Sequence, residues 1–321
     1  MWVIFKKNIG DNMKKSEISK YAEKLAIKKL NCNVKSVKYM GGGSFGCVFK
    51  LDIDKPPYTV VMKACLVSGM NKREANDTTL LGDGCPIKMP GIYFTFDADN
   101  DIPVDFICME FIKGKDTFTN HFLLLKSKNK KQKFANEVTS AMNFWHSKTN
   151  AKFGDTDNAI YDSWLDYYKP FAFDILINAE KLAKENKLEK NVLDTMKRAW
   201  NNFSYIFSEK VEKPALIHGD LNVMNIMSDN NLNPVAIIDP LNSKWADKEY
   251  DLFQLRNLTG DKFNLYETYK AKYKVSEKCD IKCAFYALYN EVYCYITSGN
   301  KYNFILKPLV KRMNSVLDKI Q

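Results

Sequence analysis

The sequence predicts an α+β chain of two lobes, a small lobe of five antiparallel strands with one helix, then a larger and mainly helical lobe. Three observations carry this. Short runs rich in β-branched and aromatic residues crowd residues 1–112. Helical periodicity dominates 113–321, except around 215–240. No internal repeat or low-complexity linker interrupts the chain.

The elements follow in order. Residues 16–30 set Ile18, Tyr21, Ala22, Leu25 and Leu30 near one face, the pattern of an amphipathic helix. Strands are expected at 34–40, 47–53 and 58–66, the last two joined across Asp54-Lys55-Pro56-Pro57. A helix over about 71–81 ends at Gly82-Asp83-Gly84. Strands at 91–96 and 105–111 complete the five. The stretch from Gly114 to Ala215 reads as helical and aromatic-rich, with Phe144, Trp145, Tyr161, Trp164, Tyr167, Tyr168 and Phe171 as candidate walls of a pocket.

Composition narrows the function classes. With 45% hydrophobic and 27% charged residues the chain can bury a sizeable core, which argues against disorder. No apolar stretch reaches the roughly 18 residues that span a bilayer. The opening Met1-Trp2-Val3-Ile4-Phe5 is too short for a signal-peptide core, so a cytoplasmic protein is expected. The eight cysteines are scattered, and Cys279 and Cys283 lack a second ligand pair, so reduced thiols and no zinc site are expected. The net charge of +10 is carried almost wholly by lysine, because Arg73, Arg198, Arg256 and Arg312 are the only arginines. A dispersed lysine surface without arginine's bidentate fork predicts no nucleic-acid partner.

Gly41-Gly42-Gly43-Ser44-Phe45-Gly46-Cys47-Val48 fits G-x-G-x-x-G-x-V. Strand-forming residues continue after it and no helix begins at Gly46, which favours a hairpin lid over phosphates rather than a strand–loop–helix dinucleotide site. Gly41, Gly43, Ser44 and Gly46 would then approach phosphate, and Val48 the adenine face. Lys63 lies seventeen residues beyond Gly46, inside the apolar run Val60-Val61-Met62-Lys63-Ala64-Cys65. A lysine there needs a partner. Phosphate and a helix carboxylate supply one, with Glu74 the nearest candidate and Asp77 a competitor. Phe106 to Gly114 reads as an edge strand or, in a two-lobed kinase, as a strand running into the linker, where Glu110 and Ile112 would meet adenine through main chain and Met109 would limit the pocket's depth.

The sharpest signal is Leu216-Ile217-His218-Gly219-Asp220-Leu221-Asn222-Val223-Met224-Asn225. Asn225 follows Asp220 by five residues, and Ile237-Ile238-Asp239-Pro240 delivers a second aspartate fourteen residues after Asn225. Phosphoryl transfer needs a carboxylate to orient the acceptor hydroxyl and oxygen ligands for a hard cation. Asp220 suits the first role; Asn225 and Asp239 suit the second.

The H-G-D-L-x-x-x-N and I-D-P segments resemble the aminoglycoside phosphotransferase superfamily, which includes fructosamine (ketosamine) kinases and choline kinases. The resemblance spans about 38–258 and includes Glu249-Tyr250-Asp251-Leu252 and the Trp145-His146-Ser147 to Trp164 stretch. It implies a bilobal, protein-kinase-like fold, ATP and Mg2+ as cofactors, and a small hydroxyl-bearing molecule as phosphate acceptor. It implies Asp220 as catalytic aspartate, Asn225 and Asp239 as metal ligands, Lys63 on phosphate, and Asp251 as a brace of the catalytic loop. The expected lobes are 1–112 for nucleotide and 113–321 for catalysis and acceptor.

Protein kinases normally carry arginine where Gly219 stands and Phe-Gly after the metal aspartate, with a long docking segment beyond. Here eleven residues separate Asp239 from Asp251, and no Ala-Pro-Glu follows. An atypical protein kinase and a non-catalytic nucleotide-binding regulator are the alternatives; the regulator predicts damaged catalytic positions, yet Lys63, Asp220, Asn225 and Asp239 are all present. Among acceptors, polycationic aminoglycosides suit a +10 chain less well than fructosamine-type substrates, although Asp155, Asp157, Asp162 and Asp166 could oppose the global charge locally.

Overall fold

The computed structural model describes residues 13–43 and 45–320, so the opening apolar run and Ser44 of the glycine loop lie outside the described residues. Two compact units emerge: one runs through Gly114 and adds Val235–Asp239, the other comprises Lys115–Pro234 and Pro240–Gln321.

In the first unit, helix α1 (Lys15–Leu30) precedes strands β1 (Val34–Gly43), β2 (Gly46–Ile53) and β3 (Thr59–Cys65). Helix α2 (Met70–Gly82) and strands β4 (Ile92–Phe96) and β5 (Asp105–Glu110) follow. The sheet order is β1-β2-β3-β5-β4, and every neighbour pair is antiparallel. Period-2 alternation decides the faces: Phe49, Leu51 and Ile53 are buried while Lys50 and Asp52 between them are not. Ile18, Ala22, Leu25 and Ala26 turn one stripe of α1 into the same core as Phe49, Val60, Met62 and Phe106. Each such apolar side chain stabilises by about 1.5–3 kcal/mol.

The expected end of the first strand at 40 was too early. β1 continues to Gly43, which pairs with Gly46, so the glycine run is itself the closing turn of a hairpin. A Cβ at Gly42 would come 2.5 Å from the Gly46 carbonyl oxygen, and one at Gly46 would come 2.7 Å from the Ala64 carbonyl oxygen. Glycine is required there by backbone crowding within the hairpin.

The second unit contains β6 (Lys115–Asp116), α3 (Lys128–Ser147), β7 (Phe153–Asp155), β8 (Asn158–Tyr161), α4 (Trp164–Lys184), α5 (Lys190–Asn201) and α6 (Phe203–Ile206). There follow β9 (Ala215–Ile217), β10 (Ile226–Ser228) and β11 (Pro234–Ile237), whose last residues count with the first unit. Then come β12 (Lys244–Ala246), α7 (Glu249–Leu252), α8 (Leu265–Lys272), α9 (Cys279–Ser298) and α10 (Asn303–Leu317). A small antiparallel sheet of order β8-β7-β12-β9 carries the loop after β9.

That sheet corrects the helical reading of 114–215. The β7–β8 hairpin holds Tyr161, and β12 adds a strand beyond 240. Three- and four-residue strands are too short for a period of 2 to register, and the partners of β12 lie far back in sequence: Trp245 pairs with Gly154 and with Leu216. The aromatics proposed as pocket walls are mostly core. Trp145, Trp164 and Tyr168 are at most 2% exposed. Trp164 stacks on Tyr168 at 5.3 Å, and its Nε1–H donates to the Tyr286 hydroxyl at 2.8 Å. No helix among the described residues is long and apolar enough to cross a membrane.

Candidate active site

In the first unit the site residues gather around one buried lysine. Lys63 leaves β3 opposite Val48 of β2, so the hairpin sets the lysine beside the residue expected at the adenine face. Its ammonium lies 2.7 Å from Glu74 Oε1 and 2.6 Å from Asp239 Oδ1. Glu74 is therefore its helix partner; Asp77 pairs instead with Arg73 at 3.9 Å. Burial alone would lower the Lys63 pKa, but the Asp239 and Glu74 carboxylates overturn that and raise it. Burial, offset only in part by Lys63, pushes Glu74 up to about 7.

Asp239 reaches this cluster because Ile237 N–H donates to the Lys88 carbonyl at 2.9 Å, pinning the segment to the first unit. Asp239 itself has φ +59, a left-handed conformation that aspartate tolerates better than most residues. Its side chain remains 42% exposed. Met109 and Glu110 lie at the end of β5, facing Val61 and Val60 of β3. The Glu110 amide donates to the Gly91 carbonyl at 2.8 Å and its carboxylate holds Lys88, so an amide contact to a base would fall to Ile112, beyond the strand.

In the second unit the loop after β9 is gripped from several sides. Asp220 is held by two amide side chains: Asn222 Nδ2 donates to its Oδ1 and Asn225 Nδ2 to its Oδ2, each at 3.0 Å. Asn225 Nδ2 also donates to the Asp220 carbonyl at 2.7 Å. With its NH2 turned to Asp220, Asn225 keeps its carbonyl oxygen as the atom for a hard cation. The buried His218 ring accepts from the Asp220 amide at 3.3 Å and lies 5.6 Å from the Trp145 ring, while Ser243 Oγ donates to its carbonyl at 2.9 Å. Asp251, fully buried, accepts from the His218 amide at 2.9 Å and the Gly219 amide at 2.7 Å. It is itself fixed by α7, whose Glu249, with Asp247 just before it, meets buried Lys282 at 2.8 and 2.5 Å.

Gly219 occupies the tightest point. Its φ is +82, and a Cβ there would lie 2.4 Å from the Asn242 carbonyl oxygen. Gly219→Ala is expected to destabilise the protein by at least about 1–3 kcal/mol, read as a lowered thermal midpoint, and to reduce turnover further by displacing Asp220. An unchanged midpoint would mean that the loop relaxes freely.

Asn222, His146 and Tyr269 were missed as site residues. Asn222 stands two residues after Asp220, a spacing at which a short amide reaches back to the preceding acid. His146 and Tyr269 are joined to Asp251 only through the fold. Among the described residues no group of three or more His, Cys, Asp or Glu is placed to hold a metal ion. A magnesium held by one carboxylate, one amide oxygen, phosphates and water would form no such cluster.

The family model for fructosamine kinase matches residues 15–316. The chain belongs to the fructosamine kinase family. It is therefore a phosphotransferase, and the family assignment carries small-molecule kinase activity with nucleotide use. Among solved structures, a protein described as a fructosamine-3-kinase from Haemophilus somnus 129PT is 18% identical with a TM-score of 0.66, over 93% of this chain and 97% of that one. APH(2'')-IIa, in its gentamicin complex, is 16% identical with a TM-score of 0.66, over 94% and 96%. Plasmodium vivax ethanolamine kinase is 13% identical with a TM-score of 0.56, over 94% and 88%. At such identities these likenesses show the fold, the protein-kinase-like architecture of small-molecule phosphotransferases. No curated protein matches the sequence.

Proposed function

We propose that this family member transfers the γ-phosphoryl group of ATP, with Mg2+, to a hydroxyl of a small molecule, with a glycated amine of the fructosamine class as acceptor. The observation that carries the reading is the Asp220 carboxylate, clamped by Asn222 and Asn225 on a loop braced by Asp251. A carboxylate so fixed can accept a hydrogen bond from an acceptor hydroxyl and align it for attack.

On this reading Lys63, steadied by Glu74, binds nucleotide phosphate, and the glycine hairpin with Gly41, Gly43, Ser44 and Gly46 covers it. Val48, Met109, Glu110 and Ile112 receive the adenine. Asn225 and Asp239 would hold the magnesium, which when bound would offset charge on the phosphoryl oxygens. The partly exposed carboxylate of Asp239 and the amide oxygen of Asn225 fit that donor set.

A fructosamine-type acceptor is favoured over a polycation because the local acids are partly engaged. Asp162 pairs with Lys152, and Asp155 accepts from the Tyr167 hydroxyl at 3.4 Å. The test is coupled ADP release with MgATP across glycated amines, aminoglycosides, amino alcohols and sugars. ADP release that requires a glycated amine and magnesium is expected; phosphate transfer to peptides alone would overturn the substrate class.

A further inference from the structure

Asp251 has a third partner besides the two loop amides. His146, near the end of α3, places Nε2 3.3 Å from Asp251 Oδ2 and Nδ1 2.6 Å from the Tyr269 hydroxyl on α8. All three side chains are buried: Tyr269 and Asp251 are 0% exposed and His146 is 7%. Asp251 can only accept, so His146 Nε2–H donates to it, and in the neutral imidazole Nδ1 then accepts from the Tyr269 O–H. The chain of hydrogen bonds therefore runs Tyr269, His146, Asp251, and ends on the amides of His218 and Gly219, directly before Asp220.

Helix packing does not call for such a chain. Apolar side chains would join α3, α7 and α8 without burying a hydroxyl, an imidazole and a carboxylate. What the polar chain adds is directional: it fixes the rotamer of one carboxylate, whose two oxygens hold the successive amides of His218 and Gly219. Trp145, the neighbour of His146, meets the His218 ring of the same loop, so the last turn of α3 touches that loop through Trp145 and reaches it through Asp251 from His146.

We propose that His146 and Tyr269 are positioning residues for phosphoryl transfer, acting through Asp251 on the presentation of Asp220. The inference rests on Asp220 being the acceptor-orienting carboxylate of the preceding section.

The test compares Tyr269→Phe, His146→Ala, the double variant, His146→Gln and Asp220→Ala in the full chain. The readouts are kcat and nucleotide KM from ADP release with MgATP, with fructosyl-lysine and with water as acceptor, beside the thermal midpoint. Tyr269→Phe, which removes one hydroxyl, should lower kcat about three- to tenfold, and His146→Ala about 10–100-fold. Nucleotide KM should stay within about twofold. Adding Tyr269→Phe to His146→Ala should cost nothing further, because the tyrosine acts only through the histidine. His146→Gln, which can still donate to Asp251, should recover part of kcat. Parental kcat in folded Tyr269→Phe and His146→Gln, with Asp220→Ala inactive, would overturn the positioning role and leave the functional reading intact. So would losses that multiply independently in the double variant. Full turnover in Asp220→Ala, or none in the parent, would overturn both.

Discussion

Asp220→Ala is expected to lower kcat by about 10²–10⁴-fold while nucleotide affinity changes little. The carboxylate is the acceptor-facing group of the proposed mechanism, and Lys63, Glu74 and the glycine hairpin belong to a different compact unit. Removing it leaves the Nδ2 groups of Asn222 and Asn225 without their carboxylate partner. Asn222 can turn to water because the loop is partly exposed, so the fold should survive. Asp220→Asn should fail almost as badly, since one end of its amide would set N–H against a donating asparagine. Coupled ADP release beside a nucleotide-binding isotherm separates the two quantities. Turnover within tenfold of the parent would remove Asp220 from the mechanism.

Lys63→Met should cost both activity and stability. Loss of the ammonium removes a phosphate-binding charge, expected to lower kcat/KM by about 10²–10³-fold. It also leaves Glu74, 5% exposed, beside no cation, at a cost of about 3–5 kcal/mol when ionised. The pH dependence follows from sign. Burial already holds the Glu74 carboxyl at about 7 despite Lys63, and removing Lys63 moves it further up. A carboxyl raised in the folded state above its unfolded value takes up a proton on folding, so its contribution is present at low pH and lost as pH rises through the folded value. The variant should thus lie nearest the parent below pH 6 and fall away steadily towards pH 9. Adding Glu74→Gln should flatten that difference. Thermal midpoints across the range decide the matter, and a pH-independent gap would show that Glu74 is not the group involved.

Much of the arrangement was legible because it rests on local rules. Alternation placed β2 and β3, helical spacing placed α1, and a lysine inside an apolar strand announced that it has a partner. Glu74 could be named but not separated from Asp77 until the helix phase set one against Lys63 and the other against Arg73. The short strands β7, β8 and β12 were invisible for the opposite reason, since three or four residues show no alternation and the pairing of β12 with β7 spans some ninety residues. His146 and Tyr269 escaped likewise. One histidine in a helix says nothing of the hydroxyl 123 residues on that it meets. The aromatics misled: their helical spacing was real, but it reports burial, and rings such as Trp164 and Tyr168 fill the core.

The return of Val235–Asp239 to the first unit has a bearing on biosynthesis. The unit's first stretch ends at Gly114, yet the acid that shares Lys63 with Glu74 emerges from the ribosome only after 239 − 114 = 125 more residues. At about 5–20 residues per second, that is a wait of about 6–25 s. During that interval the nascent domain carries Lys63 and Glu74 without their third member, and a fragment cut at Gly114 would remain in that unfinished condition.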